Sequence, residues 1–116
     1  MKTTEAEFDL FKAEFLYWIE KFGCMSWDVI FDWSDIGAEH DAEIRPDLEG
    51  RSVIVSLNTD VSREGQDGIK FLALHEALEL LLTPLRRLAQ SRDFSMEWLN
   101  SEAHVVVNTL IRLLSK

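Results

Sequence analysis

His75, Glu76 and Glu79 are the residues whose types and spacing could do chemistry, and they lie in the longest apolar run of the chain, Phe71-Leu-Ala-Leu-His75-Glu76-Ala-Leu-Glu79-Leu-Leu-Leu82. At 3.6 residues per turn, His75 and Glu79 fall one turn apart on one helix face, with Glu76 rotated roughly 100° to its edge. The remaining positions are apolar almost all round, the pattern of a buried helix. Ionisable groups in such a helix need partners, since an unpaired buried charge is costly. A metal ion is one such partner. His-Glu-x-x-Glu differs by one ligand from His-Glu-x-x-His, in which residues i and i+4 hold zinc and the intervening Glu activates the bound water. Glu79 stands where the second His would be. A carboxylate is a legitimate zinc ligand, and a catalytic site needs three protein donors and one open position. The alternative is a helix whose His75, Glu76 and Glu79 line a solvated groove.

The third donor is expected from the last patterned element, which opens Asn100-Ser101-Glu102-Ala103-His104. Glu102 and His104 lie on opposite flanks of its apolar stripe, so periodicity does not choose between them. Ligand chemistry leans to His104: with His75 and Glu79 it gives two imidazoles and one carboxylate, a set suited to zinc, whereas Glu102 makes a harder, more anionic site. His40 is a remote third candidate. It shares a strand face with Ala42 and Ile44 and reads as a packed histidine. In a complete site Glu76 is placed to act as general base on the zinc-bound water.

These residues need a scaffold, and the sequence outlines one. Thr4-x-x-Glu7 is a capping-box signature, and Phe8, Phe11, Phe15, Trp18 and Phe22 recur at helical spacing until Gly23, giving an amphipathic first helix. The period then changes to two: Trp27, Val29, Phe31 and Trp33 alternate with Ser26, Asp28, Ile30 and Asp32. A weaker alternation runs from Ala38 to Arg45, Pro46-Asp47-x-x-Gly50 marks a turn, and Arg51 to Asn58 is the clearest strand. Three strands on short connections predict an antiparallel meander. A polar stretch from Thr59 to Asp67 leads to the motif helix. Pro84 interrupts or restarts helix, with Leu85 to Arg92 as its continuation or a short extra turn. A break at Asp93 to Ser95 has Ser95 as N-cap, and Ala103, Val106, Val107, Leu110, Leu113 and Leu114 form the stripe of a final helix. The expected architecture is a single α+β domain over 1–116: N-terminal helix, meander, motif helix, C-terminal helix.

Composition bounds the rest. At 47% hydrophobic and 28% charged, the chain has a soluble globular balance. No apolar run approaches the roughly 20 residues a membrane span needs, and the acidic N-terminus is no signal peptide, so the expected compartment is the cytosol. Cys24 is alone, which excludes an intrachain disulfide, and it reads as a small buried hydrophobe. Twelve Lys and Arg against 21 Asp and Glu leave a net charge of −9, which opposes direct contact with a phosphate backbone. The expected partner is a protein or peptide, with no direct nucleic acid and no membrane.

A His-Glu-x-x-Glu helix after a small antiparallel sheet and before a helix opening with a Glu/His cluster resembles the minimal zincin metalloprotease domain. More narrowly, Ala73-Leu-His75-Glu76-Ala-Leu-Glu79-Leu-Leu-Leu82, Leu88-Ala-Gln-Ser-Arg92 and Ser101-Glu102-x-His104 look like a group of small phage and prophage proteins of the metallopeptidase type. The resemblance covers most of the chain. It implies zinc, hydrolysis of a peptide, and an edge strand, expected at Arg51 to Asn58, that aligns the substrate backbone by strand addition. Glu102-Ala103 also looks like the glutamate that supplies the third ligand in zincins that cleave phage repressors, so the third donor stays open between His104 and Glu102. A rival reading is a catalytically inert acidic protein on the same fold that occupies a basic host surface, in the manner of an anti-defence protein or nucleic-acid mimic.

Overall fold

A computed structural model describes residues 1–62, 65–90 and 95–114. The first helix, α1 (Glu5–Lys21), begins with the expected capping box: Thr4 Oγ1 accepts from the Glu7 backbone N–H at 3.2 Å, and the Glu7 carboxylate accepts from the Thr4 N–H at 3.0 Å. Two of the donors that a helix start leaves orphaned are thereby satisfied. Gly23, at φ +74°, takes the left-handed turn that releases the chain from the helix. Phe11, Phe15 and Ile19 are fully buried, and the Phe15 and Phe31 rings meet nearly at right angles at a centroid distance of 5.7 Å. Cys24 is buried beside them, and burial pushes its thiol pKa up, so it packs as an unreactive side chain.

Three strands follow, β1 (Asp28–Ser34), β2 (Ala42–Asp47) and β3 (Ser52–Asn58), in the order β1-β3-β2. This corrects the expected antiparallel meander. The strand directions are those of a meander, but β3 lies in the middle, parallel to β1 (Val29 beside Val53, Trp33 beside Leu57) and antiparallel to β2 (Ala42 beside Leu57, Asp47 beside Ser52). Burial gives the physical reason. Val53, Val55, Ser56, Leu57 and Asn58 are all buried, so β3 fits a place covered on both faces, whereas Glu43, Arg45 and Asp47 of β2 need water and take an edge. His40 precedes β2 and is exposed, so it is not the packed strand residue expected. Its carbonyl and that of Gly37 each accept from the Asn58 side chain at 2.8 Å, which ties the β1–β2 connection to the end of β3.

The motif helix α2 (Gly65–Gln90) is longer than its apolar run, and Pro84 sits inside it without ending it. Its continuation past Gln90 and most of the expected break, from Ser91 to Phe94, lie outside the described residues. Ser95 caps α3 (Met96–Leu114) as expected, its hydroxyl accepting from the Trp98 N–H at 3.1 Å. The core joins Phe11, Phe15 and Ile19 to Val53, Val55 and Leu57 of β3 and to Ile69, Ala73, Ala77 and Leu80 of α2. This is the expected α+β arrangement of helix, strands and helices. The stripe of α3 is covered less than expected: Ala103, Val106 and Leu113 are half-buried, but Val107, Leu110 and Leu114 are exposed.

Candidate functional site

On α2, the residues against the core are Ile69, Leu72, Ala73, Glu76, Ala77, Leu80 and Leu81, a stripe at three and four spacing with Glu76 in its middle. The helix is therefore rotated from the orientation expected of it. Glu76, expected at the edge of the seam, is only 6% exposed, while His75 points outward with its side chain 55% exposed and its ring 6.2 Å from that of Phe71. Phe71 and Leu78 are exposed on the same side, so α2 buries one face and is not covered all round. Burial, reinforced by the negative charges of Glu79 and Glu43, raises the Glu76 pKa from 4.5 to about 7.

Glu79 stands between these two environments. Its Oε1 lies 3.7 Å from His75 Nε2, and the Arg86 guanidinium, two turns on, bonds both carboxylate oxygens, with Nη2 to Oε1 at 3.4 Å. Donors bound to one tetrahedral zinc at about 2.0–2.2 Å stand about 3.4 Å apart, so the His75–Glu79 separation alone would suit two donors of one ion. Among the described residues no further donor is brought to them. Among the described residues no three His, Cys, Asp or Glu side chains are placed to hold one ion. Glu102 lines a recess of about 150 Å³ with Leu88, Trp98 and Ser101, and Leu88 is 13 residues along α2 from His75, about 20 Å at 1.5 Å per residue. His104 is exposed on α3. With Arg86 already neutralising Glu79, the donors among the described residues do not fit a zinc centre of three protein ligands.

The strand beside α2 is β2, not β3. Between them lies a recess of about 290 Å³ lined by Ile44, Pro46 and Leu48 on one side and Glu79, Thr83, Arg86, Arg87 and Gln90 on the other. This corrects the expectation that Arg51 to Asn58 is the substrate-aligning edge: β3 has both its ladders filled, and the free edges belong to β1 and β2.

Those two edge strands and the connections beside them hold the feature that sequence reasoning missed. Between positions 28 and 49 stand eight carboxylates, Asp28, Asp32, Asp35, Glu39, Asp41, Glu43, Asp47 and Glu49, against the single cation Arg45, so this segment carries −7 of the chain's −9. Asp28, Asp35, Glu39, Asp47 and Glu49 are exposed, and Arg45 reaches Glu43 only at 3.9 Å. Counting charge by segment finds the concentration; counting over the whole chain hides it. Carboxylates on open edges also guard against strand-to-strand aggregation, a structural use of the same residues.

No family profile, no curated protein and no solved structure matched this chain when it was compared with them. Among the described residues no helix is long and apolar enough to cross a membrane.

Proposed function

We propose that this chain is a catalytically inert, acidic protein-binding module that occupies a basic surface of a partner protein, a host factor whose surface otherwise meets nucleic acid. The observation that carries the reading is the concentration of −7 in positions 28–49, the segment that forms the two outer strands of the sheet and the connections beside them. Carboxylates so concentrated attract a cationic partner and repel a phosphate backbone. The Arg86 clamp on Glu79 agrees with it, because a carboxylate engaged by a guanidinium is a poor metal donor.

One observation favours the second reading, a zinc peptidase with Glu76 as general base beside His75, Glu79 and a donor from α3. A carboxyl with pKa about 7 is matched to proton transfer near neutral pH. That reading needs a third donor carried to the His75–Glu79 pair.

Binding of an octa-arginine peptide tests the first reading. The protein should bind it at low salt and lose it as ionic strength rises from about 0.05 to 0.5 M. Neutralising four exposed edge carboxylates, Asp28→Asn, Asp35→Asn, Asp47→Asn and Glu49→Gln, should weaken binding by about tenfold or more. Neutralising four exposed helix carboxylates, Glu5→Gln, Asp9→Asn, Glu20→Gln and Glu97→Gln, should weaken it far less. Equal losses in the two variants would mean that net charge alone binds the peptide, and the edge patch would lose its assignment.

A further inference from the structure

Beside the stripe by which it docks on the rest of the fold, the last helix carries a second one that is more apolar than the first. The first, Leu99, Glu102, Val106, Thr109 and Leu113, is the side the rest of the fold covers: Thr109 is buried, the others are half-buried, and Leu113 packs on the core while the neighbouring Arg112 donates to the Lys21 carbonyl at 3.1 Å. The second, Met96, Asn100, Ala103, Val107, Leu110 and Leu114, lies alongside it. Its spacing of four, three, four, three, four is the 3.5-residue repeat by which one helix meets another of its kind. Apart from the half-buried Ala103 this stripe is bare: Met96 is 61% exposed, Val107 50%, Leu110 42% and Leu114 84%.

We infer that α3 is a homodimerisation helix, and that its bare stripe pairs with the same stripe of a second copy across a two-fold axis. Charge selects this occupant. Two chains of net −9 repel wherever their acidic faces meet, yet the stripe contains no ionisable residue, and the acidic edges lie on the sheet. A basic partner finds no carboxylate on this stripe to pair with. An uncharged 3.5-residue seam is complementary to itself, as an isologous interface requires. Asn100 sets the orientation: in a parallel pair it faces its own copy, where two amides can bond each other, whereas an antiparallel pair sets it against aliphatic side chains with its bonds unmade.

Sedimentation equilibrium of the full chain decides the matter. The expected result is a mass of twice the monomer at about 100 µM that falls towards the monomer on dilution to about 1 µM. Val107→Glu should give a monomer across that range with its thermal melt preserved, since Val107 touches solvent in the monomer. Val105→Glu, an equally exposed apolar position on the opposite side of α3, should leave the dimer intact. Leu114→Cys under oxidising conditions should form a covalent dimer, as a parallel pairing brings the two helix ends together. A wild type that is monomeric at every concentration overturns the proposal, as does a Val105→Glu variant that dissociates as fully as Val107→Glu. A dimer that Leu114→Cys fails to cross-link overturns the parallel arrangement.

Discussion

Glu76→Gln should make the protein more stable than the wild type by about 3 kcal/mol at pH 8, and by almost nothing at pH 4. The folded protein holds the Glu76 proton up to about pH 7, while in the unfolded chain the same carboxyl titrates near 4.5. Between these values the folded state binds more protons than the unfolded one, so stability falls as pH rises. The contribution is fully present below about 4.5 and is lost as pH passes 7. Gln keeps the shape of the protonated side chain and has no charge to lose, so its advantage grows through that window. Denaturant unfolding at pH 4, 6 and 8 measures it. A constant difference across the three would show that Glu76 is ordinarily hydrated in the folded state and that α2 is not rotated as described.

Phe15→Ala should cost about 3–5 kcal/mol, a large share of the 5–15 kcal/mol that a domain of this size has. Phe15 is fully buried where α1 meets the sheet, its ring nearly perpendicular to that of Phe31, and its removal leaves a cavity among residues held by α1, α2 and β3. A midpoint of urea unfolding that falls steeply at unchanged slope is the expected signature. A loss under 1 kcal/mol would mean that α1 does not pack on Phe31.

What was legible in the sequence was what local pattern encodes. The Thr4–Glu7 box fixed the start of α1, Gly23 its end, and Ser95 the start of α3, because each satisfies or releases backbone groups within one turn. Strand existence was equally local. Strand order was not: in a meander or in the β1-β3-β2 sheet each strand keeps the same alternation and direction, and what separates them is that β3 tolerates burial on both faces while β2 does not. The rotation of α2 was hidden for a similar reason. A helix with apolar residues on every side has no preferred inward face, and packing on α1 and the sheet chose the one that carries Glu76 inside and His75 outside. The 3.7 Å approach of His75 to Glu79 follows from their spacing, but a third donor depends on where α3 docks, which no periodicity specifies.

Calorimetric titration of zinc into wild type and His75→Ala tests most directly the proposal that this chain acts through its acidic edges and not through a metal on its motif helix. The predicted result is no saturable one-to-one binding in the wild type that the substitution removes. A single tight site per chain, lost in His75→Ala, would contradict the account and restore the zinc peptidase reading.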